Sequence, residues 1–172
     1  MAFQKLCFLS TLLLLLAFTA FETTQASYES EVEVVVEGMV YCQSCNRTGS
    51  WSLTGAEPIP SAKIGIVCKD YKGRVSFYKD FITNENGYFY AELKGFRMKH
   101  YYLDHPIQSC TVHLVYSPKP ECNLLTNLNN GIDGSPLRYE KKKLSGENYQ
   151  AVVYAAGPLA FRPSYCPAMT HQ

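Results

Sequence analysis

Six cysteines behind an apolar leader constrain this chain more than any other feature. The sequence has seven cysteines, and Cys7 lies in the leader, which leaves Cys42, Cys45, Cys68, Cys110, Cys122 and Cys166. An even set in an exported chain reads as the framework of a small domain held by disulfides. The leader itself reads as a targeting segment. Lys5 precedes an almost wholly apolar run over residues 6–21, and Thr24-Gln25-Ala26 supplies small residues for cleavage after Ala26. The run falls short of the roughly 20 residues a bilayer span needs. The polar residues 168–172 do not resemble a lipid-anchor tail. The expected organisation is therefore a signal peptide at residues 1–26 and one domain over residues 27–172. Cleavage removes one base, Lys5, and one acid, Glu22, so the net charge of +1 is unchanged. Such a balance argues against a dedicated nucleic-acid binder.

Period-two alternation dominates the exported part, and no long stretch has helical periodicity. Over residues 31–37, Val32, Val34 and Val36 share one face, while Glu31, Glu33, Val35 and Glu37 share the other, which predicts a strand with one wet side. Ala62, Ile64, Ile66 and Cys68 alternate with Lys63, Gly65, Val67 and Lys69, so Cys68 is expected to point inward. Lys72-Gly73 turns the chain into a strand over residues 74–82. Asn84-Glu85-Asn86-Gly87 is a strong turn signal, because Asn and Gly tolerate positive φ. A strand over residues 88–93 follows, then a long loop over residues 94–109. Residues 110–116 resume alternation, with Cys110, Val112, Leu114 and Tyr116 on one side, until Pro118 and Pro120 stop it. Residues 51–60 and 127–134 read as loops. Residues 149–156 read as the last strand, ended by Gly157-Pro158. About seven strands without a confident helix predict an all-β protein, an antiparallel sandwich or barrel.

The charge is uneven. Residues 63–99 hold Lys63, Lys69, Lys72, Arg74, Lys79, Lys94, Arg97 and Lys99 against Asp70, Asp80, Glu85 and Glu92, and Arg138 with Lys141, Lys142 and Lys143 forms a second basic cluster. A basic face attracts acidic polymers. Aromatic residues are plentiful, with 13 tyrosines and one tryptophan. Trp51, Tyr71, Tyr78, Tyr88, Tyr90, Tyr101 and Tyr102 fall in or near turns and loops, where flat rings can stack on sugars. Lys94, Arg97, Lys99, His100, Tyr101 and Tyr102 are the densest mixture of cations and aromatics, and form the expected ligand-binding loop.

Catalytic patterns are lacking. The sequence has no Gly-x-Ser-x-Gly elbow, His-Glu-x-x-His helix or phosphate-binding Gly loop. Glu31 and Glu33 are spaced along one strand face but belong to its solvated side, and no buried carboxylate pair suited to glycosidase work is legible. Cys42-Gln43-Ser44-Cys45 lacks the following helix that would lower a thiol pKa for redox exchange. Cys42 and Cys45 with His100, His105 or His113 could be imagined around zinc. His113, however, sits mid-strand on the face away from Cys110 and Val112, and the other cysteines would be left unpaired in an oxidising compartment. The expectation is a non-enzyme with no cofactor and no metal. Asn46-Arg47-Thr48 is a glycosylation sequon, with Asn46 as the acceptor.

Glu37-Gly38-Met39-Val40-Tyr41-Cys42-Gln43-Ser44-Cys45 resembles the signature of the pollen Ole e 1 allergen and extensin family of plants. Gln43 stands where that signature usually has Asp, and Asn46 where it usually has Arg. Residues 83–89, Cys122-Asn123 with Thr126-Asn127, residues 131–138 and residues 157–163 before Cys166 resemble the cysteine-containing domain of non-classical arabinogalactan and proline-rich wall proteins. Such relatives often carry a Pro-rich or His-rich arm, of which this sequence shows none. The resemblance implies an antiparallel β fold with three bridges, Cys42 to Cys122, Cys45 to Cys166 and Cys68 to Cys110. Spacing alone leaves the connectivity open, although the inward registers of Cys68 and Cys110 suit the third pair. It also implies secretion to the extracellular space or cell wall, with a role in growth or pollen tubes. The expected partner is wall polysaccharide, pectin or galactan side chains. The alternative is a secreted protein–protein module, a ligand or inhibitor whose bridged fold presents its loops rigidly.

Overall fold

The computed structural model describes residues 32–97, 105–146 and 149–167. The expected signal peptide lies outside them. The described strands are β1 (Glu33–Cys42), β2 (Glu57–Pro58), β3 (Lys63–Lys69), β4 (Val75–Ile82), β5 (Tyr88–Glu92), β6 (Cys110–Tyr116), β7 (Leu124–Leu125), β8 (Ser135–Pro136), β9 (Arg138–Gly146) and β10 (Tyr149–Arg162). A four-residue helix, α1 (Pro106–Ser109), and 3-10 turns at Cys45–Arg47 and Leu128–Asn130 accompany them. Among the described residues no helix is long and apolar enough to cross a membrane.

The strands form two sheets, as the sequence predicts for a sandwich. In one, β1 and β10 lie side by side, with β5 and β2 along the outer edge of β1 and β9 and β7 along that of β10. The other runs β4-β3-β6-β8. The predicted inward register of β3 and β6 is present: Ala62, Ile64, Ile66, Cys68, Cys110, Val112 and Leu114 are buried. They meet Val34, Val36, Val40, Phe89, Leu159 and Phe161 of the facing sheet in one core. Tyr116 departs from that register and is exposed. Cys68 and Cys110 are direct cross-strand partners joined by a disulfide. The other bridges join Cys42 to Cys122 and Cys45 to Cys166, the pairs implied by the resemblance.

Several strands differ from their sequence reading. β1 has no wholly wet face, because Val35 is fully buried in a second cluster with Ala151 and Val153, against which Leu144 and Tyr149 pack. The cover comes from β10, which lies beside β1 though distant from it in the sequence, and from Leu144 of β9 on the far side of β10. β9 itself carries the basic run at residues 138–143, whose side chains are all exposed. It is a strand by pairing with β10, with no apolar alternation to announce it. β10 does not stop at Gly157-Pro158. Pairing with β1 shifts register between Gly38 and Val40, then resumes at Leu159, Ala160 and Phe161. The first and last described strands pair in parallel, whereas the other strand pairings among the described residues are antiparallel. Part of the loop expected over residues 94–109 is α1.

Two signature positions have direct packing reasons. A Cβ on Gly38 would stand 2.5 Å from the Ala156 carbonyl oxygen and 2.6 Å from Cζ of Phe89. Only glycine lets β1 pass that ring. Glu37 beside it faces out, where Tyr88 Oη donates to it at 2.6 Å and Lys142 Nζ at 2.8 and 3.0 Å. Partial burial works against the carboxylate, but the Lys142 and Tyr88 hydrogen bonds and the Lys142 charge outweigh it and hold its pKa below the usual value. Burial first, then the Glu37 hydrogen bond, pushes the Tyr88 phenol up. A group with a lowered folded pKa adds stability above its unfolded pKa and loses it as pH falls through the folded one. Glu37→Gln is therefore expected to cost about 1 kcal/mol at pH 7, a modest figure because Lys142 is half exposed. Denaturant titrations at pH 7 and pH 3 should show the gap between variant and wild type closing at acid pH.

Candidate binding site

The loop that leaves β1 is held by a dense set of short hydrogen bonds. Arg47 N donates to the Ser44 carbonyl at 3.0 Å, Ser50 Oγ to the Arg47 carbonyl at 2.7 Å, and Ser44 Oγ to the Thr54 carbonyl at 3.1 Å. Thr48 Oγ1 also donates to the Cys45 carbonyl. Gln43 is buried under the loop and its Nε2 donates to the carbonyls of Ser50 and Ser52 at 2.9 and 3.0 Å. Trp51, between those two serines, is 74% exposed. A large indole left this open on a tied-down loop is an apolar surface available to a ligand.

The loop forms one wall of a cleft of about 550 Å³. Leu125, Thr126, Asn127 and Leu128 form the other, and Arg162 at the end of β10 completes the lining. The second wall is fixed too. Thr126 Oγ1 donates to the Ala160 carbonyl at 2.6 Å. Asn127 Oδ1 accepts from the backbone N–H groups of Ile132 and Asp133, both at 3.1 Å. Cys42, Cys45, Cys122 and Cys166 flank these segments, so two of the three bridges cross-link the walls and floor of the cleft. Arg162 is exposed and forms no ion pair among the described residues. Among the described residues the lining thus offers an indole, a guanidinium, amides and hydroxyls, and includes no carboxylate, imidazole or thiol. Such a surface can stack a ring and hold an anion.

The expected basic and aromatic loop is only partly described, because Lys99, His100, Tyr101 and Tyr102 lie outside the described residues. Lys94 and Arg97 line one small recess of about 200 Å³ beneath β1. Lys94 is already occupied by Glu92, whose carboxylate lies 2.9 Å away and raises the lysine pKa. A second groove, of about 300 Å³, runs past Tyr41, Tyr88, Arg138 and Pro158. His113 is tied into its strand, with Nε2 2.9 Å from Thr111 Oγ1 and Nδ1 3.0 Å from the Ile132 carbonyl oxygen. Asn46 is exposed in the Cys45–Arg47 turn. The sequence placed Trp51 in a loop among candidate sugar platforms. It held no signal that Gln43, Leu125 and Arg162, far apart along the chain, would gather round it.

Over 138 residues the chain is 34% identical to non-classical arabinogalactan protein 30 of Arabidopsis thaliana, covering 78% of this chain and 54% of that protein. Over 138 residues it is 30% identical to a pistil-specific extensin-like protein of Nicotiana tabacum, covering 76% of this chain and 30% of that one. The chain is homologous to plant arabinogalactan and extensin-like proteins. The resemblance to the pollen Ole e 1 allergen and extensin family is thereby borne out. The fold agrees: the major plantain pollen allergen Pla l 1 matches with a TM-score of 0.54 at 24% identity, over 80% of this chain and all of that one. No family model matches the chain. The chain spans about half, or less, of the length of these two relatives. Those relatives carry the names of arabinogalactan and extensin-like plant proteins, and the likeness to Pla l 1 is one of fold.

Proposed function

We infer that this chain is a secreted, non-enzymatic protein of the plant wall or extracellular matrix that binds wall polysaccharide. Galacturonate-bearing pectin suits the cleft best, and neutral galactan side chains are the second choice. One observation carries the reading: the exposed Trp51 shares a disulfide-framed cleft with the unpaired cation Arg162. An indole presents a flat face to a sugar ring, while a guanidinium matches a carboxylate with two parallel N–H donors. Lys141 and Lys143 on β9 make no ion pair among the described residues and add to the attraction for an acidic chain. A role in growth or pollen-tube development is part of the same proposal. Asn46, exposed beside the cleft loop, is the proposed glycosylation site, read out as a mass loss on enzymatic deglycosylation of plant-derived material.

The test is a wall-glycan array probed with the oxidised, folded chain. Retention on galacturonate-bearing glycans is expected, with Trp51→Ala weakening it about tenfold or more. Failure to retain any wall glycan in a sample of proven fold would end this reading. One observation favours a protein partner instead. Tyr78 and Ile82 of β4, with Val115 and Tyr116 of β6, stand exposed on one sheet. Capture from extracellular extract that survives polysaccharide digestion would point to that surface.

A further inference from the structure

Gln43 is 1% exposed, and its side chain is spent on one task. The same nitrogen, Nε2, donates at 2.9 Å to the Ser50 carbonyl and at 3.0 Å to the Ser52 carbonyl. Those carbonyls bracket Trp51. An indole exposed to 74% has little packing of its own to fix it, so its position depends on how the flanking backbone is held. Gln43 is held in turn: its backbone N–H donates to the Phe161 carbonyl at 2.8 Å, and Phe161 is fully buried. A continuous chain of contacts therefore runs from the sandwich core through Gln43 to the two peptides around Trp51.

We propose that Gln43 is the positioning residue of the Trp51 platform, and that its amide presets the indole for a uronate sugar before the ligand arrives. The proposal rests on the reading of this cleft as a sugar site. The geometry demands two N–H donors on one uncharged terminal atom, which a primary amide supplies. An aspartate or glutamate would aim oxygen lone pairs at two carbonyl oxygens. A protonated acid has one O–H and can satisfy only one of them. Preorganisation of this kind strengthens binding by removing the ordering cost from the association step.

The sequence contains a single tryptophan among 13 tyrosines, so fluorescence excited at the red edge, where tyrosine does not absorb, reports on Trp51 alone. In the full oxidised chain, Gln43→Met and Gln43→Glu are expected to lower Trp51 anisotropy. Both should weaken binding of a defined oligogalacturonide about tenfold at pH 7. Between pH 7 and pH 5 the Gln43→Glu chain should recover part of the loss as its carboxyl protonates, while Gln43→Met should stay flat. Slow amide exchange in β3 and β6 should persist in both, marking an intact sandwich. Unchanged anisotropy and affinity in Gln43→Met would overturn the proposal. So would loss of slow exchange throughout β3 and β6, which would make Gln43 a general core residue. If the wild-type chain binds no oligogalacturonide, the sugar reading fails, and the preset for a uronate falls with it. Anisotropy then decides separately whether Gln43 fixes the indole.

Discussion

A chain carrying Phe161→Ala should lose about 3–5 kcal/mol of stability, the usual range for emptying a buried aromatic site. Phe161 has no exposed surface and sits in the principal core with Phe89, Leu159 and Val40. It pairs with Cys42 on one side and Leu125 on the other, and its carbonyl receives the Gln43 N–H. The side chain therefore fills core space, while its backbone ties β10 to the end of β1 and to β7, next to Arg162 of the cleft lining. Urea unfolding monitored by circular dichroism gives the number. A loss below about 1 kcal/mol would mean that this part of β10 is not sealed against the facing sheet.

Removing bridges should separate the cleft from the core. Cys45→Ala with Cys166→Ala opens a link between the cleft loop and the segment after Arg162, across 121 residues of sequence. Cys68→Ala with Cys110→Ala opens a link between two core strands, across 42 residues. Each pair is expected to cost about 2–4 kcal/mol of stability. Ligand affinity should distinguish them. The first variant is expected to bind oligogalacturonide at least tenfold more weakly while still folded, because one wall of the cleft is set loose. The second should keep wild-type affinity at any temperature where it remains folded. Equal losses of affinity in the two variants would show that the cleft is not framed by the bridges around it.

The interior of the sandwich was legible wherever a strand alternated cleanly. Ile64, Ile66 and Cys68 announced their inward face, and Cys110, Val112 and Leu114 announced theirs. The turn at residues 84–87 was legible for a related reason. Gly87 adopts φ +71°, and Asn84 Oδ1 accepts from the N–H groups of Asn86 and Tyr88. Local chemistry specifies such features. Val35 was misplaced because its burial depends on neighbours from the other end of the chain. β9 was missed because Arg138 and Lys141 to Lys143 carry no apolar code, and only the ladder to β10 makes them a strand. The extent of β10 was misjudged because a Gly-Pro step usually interrupts pairing, yet Leu159, Ala160 and Phe161 rejoin β1 beyond it. The cleft suffered most, since its lining comes from three separate stretches that converge only after folding. The family likeness supplied the bridge pattern that spacing could not.

The side-by-side placement of β1 and β10 has a consequence for biogenesis. Glu33 pairs with Ala151, and Cys42 with Phe161, so the central ladder of one sheet awaits residues far later in the sequence. Contacts this distant make assembly slow and prevent a stepwise build-up during synthesis. Until residues 151–161 are made, the valines of β1 remain without this neighbour, and premature sulfur pairing would trap the wrong topology. In oxidative refolding, an added disulfide isomerase, more than intrinsic folding speed, should set the yield of this three-bridge protein.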